Sequence, residues 1–167
     1  MAVMPDRRAI LTLPTDEQIL ITREFDAPRH LVYRALTEPE LIKRWWHAKR
    51  GRITAVEVDL RVGGAWRYAM VADNGMEVAF HGTYREIVPD ERLVTFDVFE
   101  GLPEGVSEED AATVNTATLT GDGERTTLTI LIQAPSTIAR DAIIDSGMEL
   151  GLQDALDLLE ETAGSLA

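Results

Sequence analysis

Hydrophobic and polar positions alternate with a period of two along most of this chain, and change to a helical period near its end. From Ser136 to Gly164, Ile144, Met148, Leu152, Leu156 and Leu159 recur at steps of four and three, with Ala142, Ala155 and Leu158 widening the stripe. Asp141, Asp145, Glu149, Asp154, Glu160 and Glu161 supply the polar side. Pro135 precedes Ser136, whose hydroxyl suits an N-cap. The spacing predicts one helix of about 28 residues, roughly 40 Å long at 1.5 Å per residue.

The remainder reads as strand and turn, apart from two short helices. Ala9 to Leu13 is an apolar leader segment that either pairs as an extra strand or lies loose; the pattern does not decide. Gln18 to Phe25 is the first clear strand. Asp26-Ala27-Pro28 starts a helix, with Asp26 as cap and Leu31, Val32, Ala35 and Leu36 as its apolar face. Glu40 to Trp46 reads as a second helix. Strands follow around Ile53 to Leu60, Ala65 to Ala72, Met76 to Tyr84, Val94 to Phe99, Thr113 to Thr120 and Thr126 to Ala134. Asp73-Asn74-Gly75 and Gly121-Asp122-Gly123 mark hairpins, since glycine and asparagine readily take positive φ. Glu100 to Ala111, with its Glu108-Glu109-Asp110 run, is a solvated loop. A strand-rich chain with one long amphipathic helix predicts an α+β fold, an antiparallel sheet wrapped around that helix.

Composition narrows the class. The chain has 167 residues, 45% hydrophobic and 27% charged, which suits one domain with a substantial core. The expected layout is a leader over residues 1–16 and one domain over 17–164. There is no cysteine, so disulfides and thiolate metal sites are excluded and a reducing cytoplasm is the default setting. No apolar run is long enough for a membrane-spanning helix. The net charge of −13 is opposite to the basic footprint of a nucleic-acid binder.

Several stretches resemble one family. Phe25-Asp26-Ala27-Pro28, Val32-Tyr33-Arg34-Ala35-Leu36-Thr37-Glu38-Pro39-Glu40-Leu41 and Arg44-Trp45-Trp46 resemble the opening of the SRPBCC superfamily, in its branch of activator of Hsp90 ATPase homologue-like domains. Asp59 to Trp66, Gly82 to Pro89, Glu91 to Val94, and Gly147-Met148-Glu149 through Leu156 match later segments of that branch in order. The resemblance implies a helix-grip (START-like) fold, with about seven strands curled around the terminal helix and a cavity between them. It also implies a small-molecule binder, a chaperone-regulating module with a stress-response role or, third, an enzyme of the cyclase or dehydratase type, which needs an acid–base pair such as Asp97, Glu86 or His81 beside a tyrosine hydroxyl. Many relatives carry a tryptophan where this chain has Gly151-Leu152, which leaves more room beside the helix.

Catalytic constellations are missing from the pattern. No serine sits in a Gly-x-Ser-x-Gly elbow. His30, His47 and His81 lack metal-ligand spacing, and no phosphate loop is present, so no metal or cofactor is expected. Asp97 and Glu86 are the strand carboxylates nearest to candidates, with Asp97 expected to face away from the helix. The candidate site is apolar. Trp66, Tyr68, Met70, Phe80, Tyr84, Phe96 and Val98 are expected on one side of successive strands, facing Met148, Leu152 and Leu156. Trp45 and Trp46 are candidates for its mouth. A solid core satisfies this pattern, and so does a cavity for a hydrophobic or amphipathic molecule. Expected partners are therefore a small hydrophobic molecule, a chaperone or other protein, or a second copy joined through the leader strand.

Overall fold

The computed structural model describes residues 8–101 and 104–167. Its elements are β1 (Ile10–Thr12), β2 (Gln18–Phe25), α1 (Arg29–Thr37), α2 (Pro39–Ile42), β3 (Gly51–Val58), β4 (Ala65–Ala72), β5 (Glu77–Val88), β6 (Arg92–Phe99), α3 (Glu108–Ala111), β7 (Thr113–Thr120), β8 (Thr126–Gln133), α4 (Thr137–Asp145) and α5 (Met148–Gly164). The strands form one antiparallel sheet in the order β1-β2-β8-β7-β6-β5-β4-β3. The count is eight because the leader pairs: Ile10, Leu11 and Thr12 lie opposite Thr22, Ile21 and Leu20. Gln153 of α5 fixes the start of that strand. Its side-chain oxygen accepts from the Ala9 N–H at 2.9 Å, and its Nε2 donates to the Ala9 carbonyl at 2.8 Å. No helix among the described residues is long and apolar enough to cross a membrane.

The terminal helix differs from expectation, because it is two helices. Ser136 does cap the first, its Oγ accepting from the Ala139 N–H at 3.1 Å. The helix then stops at Asp145, and Gly147 takes the left-handed conformation with φ of 81° before α5 begins. A residue with a Cβ pays for that conformation, whereas glycine does not. Three smaller corrections follow. Pro28, not Asp26, holds the N-cap position of α1, with no side-chain cap. Asp26 instead gives its backbone N–H to Glu160 of α5 at 2.9 Å. The second helix covers only Pro39–Ile42, and the chain from Lys43 runs on through turns in which Ala48 and Lys49 have positive φ. The acidic loop contains the short helix α3, capped by Ser107, packed on β6.

The alternation in β2 explains how α5 is held. Ile19, Ile21, Arg23 and Phe25 all point to the helix side and are all buried. The three apolar residues pack with Leu119 and Leu128 of the sheet, Leu31, Val32 and Ala35 of α1, and Leu156, Leu159 and Ala163 of α5. Fully burying a leucine such as Leu159 contributes about 1.5–3 kcal/mol. Arg23 sits in the same row. Its Nη1 donates to Asp157 at 2.7 Å and its Nη2 to Glu160 at 3.3 Å.

Arg23 is 3% exposed, while the Asp157 side chain is about half exposed. Losing the arginine therefore costs less than the ~3–5 kcal/mol of breaking a fully buried pair, because water can take over one carboxylate. Arg23→Ala is expected to lower unfolding stability by roughly 2–3 kcal/mol in urea denaturation.

Candidate ligand-binding site

Strand register decides which side chains share the helix-facing surface. Trp66 lies opposite Gly82, Tyr68 opposite Phe80, and Met70 opposite Val78. Gly82 in turn lies opposite Asp97, Tyr84 opposite Thr95, and Phe80 opposite Phe99. Asp97 continues to Thr113, and Thr95 to Asn115. This row continues through Ile132 and Ile130 of β8 to Ile19 and Ile21, the residues packed against α5. Trp66, Tyr68, Met70, Phe80 and Tyr84 therefore share the helix side, as the alternation predicted.

Phe96 and Val98 do not. They lie opposite Thr83 and His81, on the outer face, and Asp97 takes the inward place expected of them. Val98 is buried on that outer side, where α3 packs on β6, and the Arg85 guanidinium stacks 4.7 Å from the Phe96 ring centre. Their apolarity is accounted for by these outer contacts. Glu86 and His81, the other titratable groups considered, also point away. Glu86 pairs with Arg92. His81 Nδ1 and Arg67 both bond Glu100. His30 is exposed, and the His47 ring nitrogen accepts from the Lys49 N–H at 3.0 Å. Among the described residues no cluster of three His, Asp or Glu side chains could hold a metal.

The space between sheet and helices is filled unevenly. Over β2, the Leu128 end of β8 and the second half of α5, Ile19, Ile21, Leu128, Leu156 and Leu159 are buried, while Ile130 and Ile132 of β8 are half-buried. Over β3 to β6, Val56, Tyr68, Met70, Phe80, Thr95 and Asp97 remain half-buried although they face the helices, as do Met148 and Leu152 at the start of α5. No residue of α4 is fully buried. Leu156 thus belongs to the closed core, whereas Met148 and Leu152 pack against it and stay half-buried. A separate recess of about 460 Å³, lined by Arg29, Val88, Glu91, Arg92 and Thr118 to Gly121, opens at the far end of β6 and contains none of the predicted residues.

Aromatic rings crowd the open half. Trp46 meets Tyr68 edge-on at 5.7 Å and Phe80 at 6.1 Å between ring centres. Trp66 lies 4.8 Å from Tyr68, and Phe80 lies 5.1 Å from Phe99. The tandem tryptophans divide their work. Trp45 turns toward α1, its Nε1 donating to the Ala35 carbonyl at 2.8 Å, while Trp46 caps the aromatic group. Phe99 was not among the expected residues, because its place depends on the β5–β6 register.

A polar group lies among these rings. Asp97 Oδ1 accepts from the Thr95 hydroxyl at 2.6 Å. Burial pushes the Asp97 carboxyl up from 3.8 to about 6, while hydrogen bonds from Thr95 and Asn115 pull the other way. No Arg, Lys or His lies within ion-pair distance of Asp97 among the described residues. Burial also raises the Tyr68 phenol well above its usual range, with Tyr84 and Asp97 adding to the effect. Tyr84 is pushed up to about 12, again mainly by burial. Three buried polar atoms here lack a well-formed hydrogen bond: Trp66 Nε1, Tyr84 Oη and Asn115 Oδ1. Tyr68 lies close enough to Tyr84 to affect its ionisation, but not in a geometry that satisfies its oxygen.

Gly82 lets the Trp66 indole lean toward this cluster. A Cβ at Gly82 would stand 3.0 Å from the Trp66 ring and 1.7 Å from the Phe96 carbonyl oxygen. Only glycine fits between Trp66 and Asp97, and the indole edge carrying the unpartnered N–H lies over it.

A curved antiparallel sheet closed by a C-terminal helical segment, with a half-open interior, defines a helix-grip protein. Residues 26–164 match the family model described as activator of Hsp90 ATPase homolog 1-like protein, and the chain belongs to that family. Solved structures agree on the fold. A Rhodobacter sphaeroides protein superposes with a TM-score of 0.83 at 20% identity, covering 94% of this chain and 99% of that one. A Nitrosomonas europaea protein gives 0.78 at 24% identity over 93% and 99%. A Chromobacterium violaceum protein gives 0.75 at 29% identity over 89% and 98%. A search of curated proteins found no match.

The Asp97 carboxyl carries a pH signature. Its value is raised on folding, so its protonated form favours the folded state. That contribution is complete below about pH 4 and lost as pH rises through about 6. The span from 3.8 to about 6 is worth at most about 3 kcal/mol. Asp97→Asn, which cannot ionise, is therefore expected to gain stability relative to the parent protein between about pH 5 and about pH 8. Paired thermal melts at those two values measure the difference.

Proposed function

We propose that the protein binds a small, largely apolar molecule, without transforming it, in the half-open space between β3–β6 and the α4–α5 segment. The observation that carries this reading is the pairing of half-buried inward apolar side chains with three buried polar atoms that have no partner. An unpartnered buried polar group costs about 1–3 kcal/mol, so three in one place are best accounted for by a molecule that completes them. The aromatic rings of Trp46, Tyr68, Phe80 and Phe99 offer the apolar contact. Of the residues expected at the site, Trp46, Trp66, Tyr68, Met70, Phe80, Tyr84, Met148 and Leu152 are retained for this role, and Asp97, Asn115 and Phe99 join them.

Asp97 beside two tyrosines also has the parts of an acid–base site. General catalysis works best with groups that titrate near the working pH. Asp97, pushed up to about 6, meets that condition, but both tyrosines are driven far above it, and without a matched partner beside Asp97 binding is favoured over proton transfer. The family's description supplies the second reading, a chaperone-regulating role. Unchanged Hsp90 ATPase turnover in the presence of this protein removes it.

Leu152 tests the first reading. It borders the open half, and an indole there fills the space with apolar volume. Leu152→Trp is expected to weaken binding of the neutral fluorophore N-phenyl-1-naphthylamine by at least about tenfold, with the melting temperature held or raised. Undiminished fluorescence enhancement in the variant would place the probe elsewhere and count against the cavity. Native mass spectrometry of the purified protein identifies any retained molecule directly.

A further inference from the structure

The polar end of this space has an unbalanced charge character. Asp97 is a carboxylate in an apolar setting with two hydrogen bonds from neutral groups and no cation beside it. Of the other unsatisfied atoms, Asn115 Oδ1 is an acceptor and Tyr84 Oη can accept. Arg23, the buried cation of the helix side, belongs to the other half and is engaged by Asp157 and Glu160. Arg50, at the rim near Gly151, is paired with Asp154 at 3.0 Å. The neighbouring surfaces are faces and edges of Trp46, Trp66, Tyr68 and Phe80.

We infer that the ligand is a protonated amine carried on an apolar body, with its ammonium group seated between Asp97, Asn115 and Tyr84 and its body against the aromatic rings. This rests on the cavity reading above and adds the charge of the ligand to it. A primary ammonium has three N–H donors and no acceptor, which matches three acceptors converging on one place. Placing it beside Asp97 supplies the counter-charge that a desolvated carboxylate lacks. Aromatic faces attract cations through their quadrupole, so rings that tolerate any apolar body favour this one further. The Trp66 N–H remains for an oxygen on the ligand's body. A carboxylate-headed amphiphile such as a fatty acid meets like charge at Asp97 and finds no free cation there.

The test uses three probes of one shape: 2-aminotetralin, 2-hydroxytetralin and tetralin-2-carboxylate, titrated calorimetrically near neutral pH. Added salt of about 0.5 M suppresses attraction of the amine to the acidic outer surface. The amine is expected to bind one-to-one and at least about tenfold tighter than the alcohol, with the carboxylate weakest. In Asp97→Asn the ratio of amine to alcohol is expected to fall to within about threefold of unity, while circular dichroism reports the fold. Equal or tighter binding of the alcohol or carboxylate overturns the inference and leaves the cavity reading standing. So does a preference for the amine that survives in Asp97→Asn. If neither these probes nor N-phenyl-1-naphthylamine bind, both readings fall.

Discussion

The uneven grip of α5 on the sheet governs the rest of the molecule. Its second half is held by Leu156, Leu159 and Ala163 against Ile19, Ile21 and Leu128, and by the Arg23 clamp to Asp157 and Glu160. That half leaves no room for anything else. The first half of α5, and α4 before it, carry no fully buried residue, and Arg140 of α4 bonds the Thr15 carbonyl before β2. One end of the interior is a core and supplies stability. The other end can therefore carry groups that a core would not tolerate.

Those groups are costly where they stand. Buried polar atoms are nearly always partnered in stable folds, because leaving one without a partner forfeits its hydration. Trp66, Tyr84 and Asn115 each present such an atom, and Asp97 carries a carboxyl raised by burial. They lie in two adjacent rows on one face of the sheet, Trp66–Gly82–Asp97 and Tyr84–Thr95–Asn115, so they form one polar neighbourhood. Gly82 makes the locus possible: a side chain there would collide with the neighbouring strand and push the indole away. Three of the four unpartnered buried side-chain atoms among the described residues gather here, the fourth being Arg23 Nε in the closed half, and a gathering of this kind is more readily assigned to recognition than to folding.

Most of the architecture was legible because alternation in β2, β4, β5 and β8 is clean: one side of each strand is apolar enough to name the inward face. β6 is different. Val94, Phe96 and Val98 alternate with Thr95, Asp97 and Phe99, so hydrophobicity alone assigns the more apolar set to the inside. The register goes the other way, because the partner strand β5 places Gly82 opposite Asp97, and because α3 and Arg85 cover the outer apolar set. The signal that could have resolved it is the glycine itself. An inward-facing Gly82 in an otherwise bulky row marks a close approach, and its pairing partner is then inward too. The helix break was also concealed by its neighbours. Ile144 and Met148 keep the four-residue step across Gly147, so the stripe runs on while the backbone turns. Ser146-Gly147 is the sort of pair that ends a helix, with glycine in the left-handed position just past the last turn.

The break and the polar locus bear on each other. A continuous helix would carry the stripe of Ile144, Met148 and Leu152 straight along the sheet and draw their side chains toward β3–β6. The turn at Gly147 lets α4 depart from that line, and Met148 and Leu152 are left half-buried above the aromatic row. At the start of α5 stand Gly151, against the Arg50 side chain, and the half-buried Leu152, so no aromatic bulk enters the interior from this turn. The room that Gly82 leaves is taken by the Trp66 indole, whose N–H stands without a partner in the same neighbourhood as Tyr84 Oη and Asn115 Oδ1. That gathering of unpartnered polar atoms beside half-buried apolar side chains fits an interior completed by a bound molecule.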